Sequence, residues 1–264
     1  MLKYLRVRSR HPSHDILRKP TFIYPERKGI LLPVFACIRL GSTSKINPKF
    51  LEINTINAIK TSSNKLLMKN AFKKNNINSP KFWETKEDLL NENEIPYPLV
   101  AKKIYGSRGY GITKIKNPPE LNEFLENEYN DSYYFEKYYK YLREYRIHVT
   151  ELGAFYTCRK MLKTNTPENL KFVRNNNNCV WFLESNPKFN KPINWEIIEK
   201  QCVNALKAVG LDIGACDVRV AAYPDEDGYH YFKIIEINSA PSFGENTAKE
   251  YLKIIPLIIK NKLK

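Results

Sequence analysis

The chain has 264 residues, 42% of them hydrophobic and 12% aromatic, with a formal charge of +15. That size and apolar content fit a globular soluble protein of two or three lobes, and no apolar run approaches the length of a membrane span. The first residues lack a signal-peptide core, and Cys37, Cys158, Cys179, Cys202 and Cys216 show no CxxC spacing, so secretion, a disulfide frame and a zinc site are set aside and a reduced, cytoplasmic location is expected.

Residues 1–50 are basic and broken by Pro12, Pro20, Pro25 and Pro33. One strand is predicted there, over residues 30–38, running into Arg39-Leu40-Gly41-Ser42. Thr61-Ser62-Ser63-Asn64 offers N-cap oxygens to a helix over residues 65–72, which ends by Pro80. An apolar run over residues 97–102 leads into the loop Gly106-Ser107-Arg108-Gly109-Tyr110-Gly111, with residues 112–115 as its partner strand. Pro118-Pro119 opens a helix through Leu121, Phe124 and Leu125. Residues 133–139 and 143–156 read as strands, the latter turning at Gly153, and residues 163–192 as a polar stretch. Asn194 is the expected cap of an amphipathic helix carrying Ile198, Cys202, Leu206 and Val209, stopped by Gly210. Strands over 214–220 and 231–235 follow, then a helix over about 247–259.

The most specific chemistry lies at the last strand's end, Glu236-Ile237-Asn238-Ser239-Ala240-Pro241. Side chains alternate along a strand, so Glu236 and Asn238 share a face. A carboxylate and an amide oxygen side by side suit a hard cation such as Mg²⁺, and Asp217 in the preceding strand can add a third oxygen. Mg²⁺ is rarely caged by protein alone, so a nucleotide's phosphates are expected to complete the shell. The glycine loop suits that partner. Gly106, Gly109 and Gly111 let backbone amides crowd an anion, while Ser107 and Arg108 add donors. No Gly-Lys-Ser/Thr follows, so it is not a P-loop, and by composition alone a plain hairpin turn fits as well. Lys102, which shares a face with Val100 just before the loop, favours the phosphate reading over a snorkelling strand-end lysine.

The order of these elements resembles the ATP-grasp superfamily, in particular ligases similar to the ribosomal-protein glutamate ligases and D-alanine–D-alanine ligase, over roughly residues 52–264. The resemblance implies an α/β (α+β) fold with two α+β lobes sandwiching ATP behind a truncated N-terminal segment. It implies Lys65 and Lys102 as phosphate-contacting lysines and residues 106–111 as the flexible loop over ATP. Glu136, Lys137, Tyr138 and Tyr139 would form the hinge beside the adenine, with Glu144 near the ribose. Arg146, Arg159 and Lys160 would be cations near the transferring phosphate or substrate carboxylate, Arg174 and Asn175 the pair near the reacting centre, and Asp217, Glu236 and Asn238 the ligands of Mg²⁺ or Mn²⁺.

The expected organisation is an N-terminal substrate-side segment (1–58), a lobe bearing the glycine loop (59–139) and a lobe bearing the metal site (140–264). The expected reaction is ATP-dependent carboxylate–amine ligation through an acylphosphate, producing ADP, with an amino acid and a peptide or protein as one candidate substrate pair. Two alternatives stand beside it. One is a phosphotransferase on the same scaffold. The other is a basic nucleic-acid-binding or -modifying protein that uses ATP, although Lys far exceeds Arg and the charge also fits AT-rich coding. His148 reads as a packed core histidine and Asp212 as structural.

Overall fold

The computed structural model describes residues 3–7, 26–27, 30–31, 35–44, 51–106, 109–167, 170–171 and 177–264. Of the expected site residues, Ser107, Arg108, Arg174 and Asn175 lie outside the described residues.

The N-terminal segment forms a parallel sheet of β1 (Lys3–Val7), β4 (Phe35–Arg39) and β5 (Leu51–Ile53), with β4 central. β2 (Glu26–Arg27) and β3 (Ile30–Leu31) pair separately. The single strand expected over residues 30–38 is therefore divided between two sheets. Pro33, between them, has no amide hydrogen to give a ladder. Lys3 and Arg6 break the apolar pattern of β1, which the sequence reading did not anticipate.

Two helices follow, α1 (Ile56–Ser63) and α2 (Lys65–Lys74). Asn64 serves both. Its amide donates to the Lys60 carbonyl at 3.1 Å, and its Oδ1 accepts from the Leu67 amide at 3.0 Å. Thr61, Ser62 and Ser63 are thus the last turn of α1, and Asn64 alone caps α2.

The loop-bearing lobe contains β6 (Phe82–Trp83), α3 (Lys86–Leu90), β7 (Leu99–Lys103), β8 (Ile112–Ile115), α4 (Pro118–Asn127) and β9 (Tyr133–Lys137). The sheet order is β6-β9-β7-β8, antiparallel throughout. Leu99, Ala101, Ile115 and Phe135 pack against Leu89, Leu121 and Phe124 of α3 and α4. Strand alternation puts Val100, Lys102, Tyr134 and Glu136 on the opposite face.

The larger lobe contains β10 (Arg143–Thr150), β11 (Gly153–Leu162), β12 (Cys179–Leu183), α5 (Trp195–Ala208), β13 (Ile213–Pro224), β14 (His230–Asn238) and α6 (Glu245–Lys262). Its antiparallel sheet runs β12-β11-β10-β13-β14. One face, including Ile147, Val149, Cys216 and Val218, is covered by α5 and by Met68 and Phe72 of α2. Each fully buried aliphatic side chain there contributes roughly 1.5–3 kcal/mol. On the other face, Ile213 joins Ala36, Ile38, Ile53 and Ile255 in a second core that docks the parallel sheet and α6. The rest of that face carries charged side chains.

Asn194 precedes α5 but makes no side-chain cap. Its amide instead donates to the His230 carbonyl at 3.0 Å and accepts from the His230 amide at 3.2 Å, fastening the helix start to β14. His148 is buried and bonded to the Tyr251 hydroxyl at 3.0 Å, as a core histidine should be. Asp212 is structural. It accepts from the Asn54 amide at 2.7 Å and pairs with Lys262 at 2.7 Å. Among the described residues no helix is long and apolar enough to cross a membrane.

Candidate active site

β7 and β9 project Lys102 and Glu136 diagonally onto the face away from α3 and α4. The Lys102 ammonium donates to Glu136 Oε2, and the Tyr134 hydroxyl donates to Oε1 at 2.8 Å. Lys69, on α2 and 0% exposed, also reaches Oε1 at 3.0 Å. Burial alone would raise the Glu136 carboxyl, yet the ammoniums of Lys102 and Lys69 overcome it and hold it down to about 2. Burial lowers Lys69 to about 8, with Glu136 opposing. Lys65, one helical turn from Lys69, donates to the Gly106 carbonyl at 2.5 Å. Its ammonium is lowered by burial and feels Glu236, Lys102 and Glu136, so the two lobes bring their charges to one place. β7 and β8 pair as the expected hairpin, with Gly109 at φ 82° and Gly111 at φ 71°, a backbone region that favours glycine.

The second half of the site stands on β10, β11, β13 and β14. Asp217 pairs in register with Glu236, and Ala215 with Asn238. The Asn238 amide donates to Glu236 Oε1 at 3.1 Å, so these side chains share a face. Arg146 clamps Asp217 through two bonds of 2.8 Å, and Lys160 approaches it at 3.6 Å. Lys160 also pairs with Glu144 at 2.7 Å, whose other oxygen lies 3.5 Å from Arg219. Trp181 lies under both Arg146 and Lys160, 5.5 and 5.3 Å from its ring centre. Burial would raise the Asp217 carboxyl, but Arg146 and Lys160 hold it well below the usual range.

Two carboxylates and an amide oxygen form a hard-oxygen set that fits Mg²⁺ or Mn²⁺. Asp217 would then be shared with Arg146. Among the described residues no three His, Cys, Asp or Glu side chains group closely enough to hold a metal ion by themselves. Lys65, Lys69, Lys102, Arg146, Lys160 and Arg219 face Glu136, Glu144, Asp217 and Glu236: six cations against four carboxylates, an excess that favours a polyanion.

Several expected residues stand differently. Arg159 pairs in register with Tyr145, which packs against Trp195 beneath α5, and it donates to the Lys188 carbonyl at 2.7 Å. It therefore occupies the opposite face of the sheet from Lys160 and is not brought to the other cations. The Glu136 carboxylate is 2% exposed and held by three partners. The amides of Lys137 and Tyr138 donate to the carbonyls of Lys81 and Pro98. Tyr138 lies under Lys114, and Tyr139 packs on Tyr231. Glu144 is buried among Lys160 and Arg219. The sequence reading missed Lys69, Tyr134, Trp181 and Arg219. Lys69 had a signal: it lies four residues after Lys65 and beside Met68 on the apolar side of α2.

No protein-family profile matches the chain, and no curated protein sequence does. Solved structures do. The D-alanine–D-alanine ligase from Bacillus anthracis is similar with a TM-score of 0.62 and 15% identity, covering 99% of this chain and 96% of that one. The VanG D-Ala:D-Ser ligase from Enterococcus faecalis has a TM-score of 0.61 and 14% identity, covering 87% and 73%. The ATP-grasp ligase PsnB, solved with a minimal precursor, has a TM-score of 0.51 and 14% identity, covering 75% and 58%. The first of these matches takes in the N-terminal strands, which the resemblance read from sequence did not reach. Two α+β lobes, the glycine hairpin on one and the paired acidic strands on the other, together with these likenesses, identify the fold of this chain as the ATP-grasp fold.

Proposed function

We propose that the chain is an ATP-dependent carboxylate–amine ligase that forms an amide or peptide bond through an acylphosphate, with an amino acid and a peptide or protein as substrates. The observation that carries this reading is the meeting of Lys65, Lys102 and the glycine hairpin with Asp217, Glu236 and Asn238 across two lobes. Support comes from similar folds solved with ATP, for the Bacillus anthracis ligase, and with Mg and ADP, for PsnB.

When bound, ATP supplies the phosphoryl group that activates a carboxylate, and Mg²⁺ screens its charge. Lys65, Lys102 and the amides of Gly106, Gly109 and Gly111 would hold the phosphates. Arg146 and Lys160, steadied by Asp217, Glu144 and Trp181, would offset negative charge on the bound phosphates. Arg174 and Asn175 are assigned the same region through the resemblance. Tyr138 and Tyr139 would be the aromatic neighbours of the base, and the glycine hairpin would shield the site from water. The substrate's own carboxylate and amine are the reacting groups, so no side chain serves as nucleophile. Residues 1–58 form the substrate side, 59–139 the loop lobe and 140–264 the metal lobe of this assignment.

The test is incubation with Mg-ATP, pooled amino acids and peptide acceptors, following nucleotide and product mass. ADP and phosphate appear only when carboxylate and amine are both present, and Glu236→Gln abolishes their release while melting within a few degrees of wild type. AMP and pyrophosphate as products overturn the reading. A stable phosphorylated acceptor formed without any amine replaces it with phosphotransfer.

A further inference from the structure

β14 contains a fault in its pairing that determines where Glu236 points. Asp217 stands opposite Glu236 and Val218 opposite Ile234, leaving Ile235 with no partner on β13. That is a β-bulge, one extra residue on one strand. The buried residues of β14 show its effect: Phe232 and Ile234 lie in the α5-side core, but the next core residue is Ile237. An unbroken period of two would have put Glu236 in that core with Phe232 and Ile234. The bulge turns Glu236 and Asn238 to the charged face instead.

A bulged residue lacks its ladder partner on that side, and a buried carbonyl left unpaired is costly. The Ile235 carbonyl accepts from the Lys69 ammonium at 2.9 Å. Neighbouring atoms of the same helix region hold the strand as well, with the Ile237 amide on Met68 Sδ at 3.4 Å and the Ile234 amide on the Asn78 carbonyl at 2.8 Å. The same Lys69 ammonium reaches Glu136 at 3.0 Å, and Glu136 holds Lys102. One fully buried lysine thus joins the bulge beside the candidate metal ligand to the carboxylate that positions the candidate phosphate lysine. A buried ion pair with no task beyond stability is poorly explained, because apolar side chains of the same volume usually stabilise as much.

We propose that Lys69 is a positioning residue that sets both halves of the site, aiming Glu236 through the Ile235 bulge and leaving Lys102 available to phosphate by sharing Glu136. The role rests on the nucleotide reading given above. Its two arms are separable by chemistry. A glutamine can donate to the Ile235 carbonyl but brings no charge to Glu136, whereas a methionine does neither.

The experiment measures ATP binding by calorimetry with and without Mg²⁺, and amide hydrogen exchange over residues 234–238, in wild type, Lys69→Met and Lys69→Gln. Lys69→Met is expected to weaken metal-free ATP binding at least tenfold, to lose most of the Mg²⁺-dependent gain, and to speed exchange over residues 234–238. Lys69→Gln is expected to recover the Mg²⁺ gain and the slow exchange but not the metal-free affinity, because Glu136 then draws on Lys102 with no second ammonium to share its charge. If Lys69→Met does not fold, the split between the two arms is read from Lys69→Gln. Wild-type affinities and wild-type exchange in a folded Lys69→Met overturn the proposal. A wild-type protein that binds no ATP overturns the functional reading instead, and the exchange arm still decides whether Lys69 holds the bulge.

Discussion

Glu136 shows how much electrostatic work one carboxylate does here. It is 2% exposed, and desolvation alone would push its proton affinity up, yet two ammoniums and a phenol hold it ionised, down to about 2 from an ordinary 4.5. A carboxyl depressed on folding contributes stability that is fully present above its unfolded value and is lost as pH falls through its folded value. The window for Glu136 is therefore pH 4.5 down to about 2, and Asp217 acts in the same direction. Lys69 has the opposite sense: lowered from 10.5 to about 8, it is costly to bury when charged, and that cost is relieved as pH rises from 8 to 10.5. The Glu136 contribution lost in acid is of the order of 3 kcal/mol. Urea unfolding of wild type should steepen in its pH dependence below 4.5, and Glu136→Gln should flatten that limb while lowering stability at pH 7. Parallel profiles for the two proteins between pH 2 and 5 would contradict this account.

At the scale of elements, the N-terminal sheet presses its end against the loop that follows β14. Gly41, just past β4, has φ +75°, and a Cβ added there would lie 2.9 Å from the Ala240 Cβ. Arg39 and Asn54 lock this junction from inside: the Asn54 amide donates to the Arg39 carbonyl at 3.0 Å and to the Ile213 carbonyl at 2.9 Å. These bonds hold the backbone just before Gly41 in place. Gly228 has a similar φ of +82° but nothing within 4 Å of its added Cβ. Both Gly41→Ala and Gly228→Ala carry backbone strain of about 1–3 kcal/mol. Only Gly41→Ala adds the contact with Ala240, so its melting temperature should fall clearly further. Equal losses in the two variants would mean that the junction yields freely and does not constrain the loop after Asn238.

Across the whole molecule, nucleotide binding should behave as a stabilising ligand. The loop-bearing lobe and the lobe built on β10–β14 meet through α2, through Lys69, and through the packing of Tyr139 on Tyr231. A ligand that contacts both lobes and binds the folded state alone raises stability by about 2.7 kcal/mol at a hundred times its Kd. Mg-ATP should therefore raise the melting temperature, and chelating the metal should remove part of that shift. An unchanged melting curve at millimolar Mg-ATP would contradict a nucleotide site between the lobes. The formal charge of +15 exceeds by far the excess of two cations gathered at the site.

By itself the sequence determined what depends on local period and backbone chemistry. Strand alternation was enough to put Glu236 beside Asn238. Three glycines after Lys102 were enough for a hairpin with left-handed turns, and Asn64 with its following apolar residues was enough for α2. Tertiary structure decided which way each alternating pattern faced. Arg159 and Lys160 are adjacent cations on one strand, and only the pairing of β11 with β10 turns Lys160 toward Asp217 and Arg159 toward Lys188. The parallel sheet of β1, β4 and β5 joins residues whose local patterns are broken by charge and proline, so its partners appear only in space. Lys69 is the clearest case. Its spacing from Lys65 is visible locally, but only the packed lobes strip its water away and leave it a carbonyl and a carboxylate, one from each lobe.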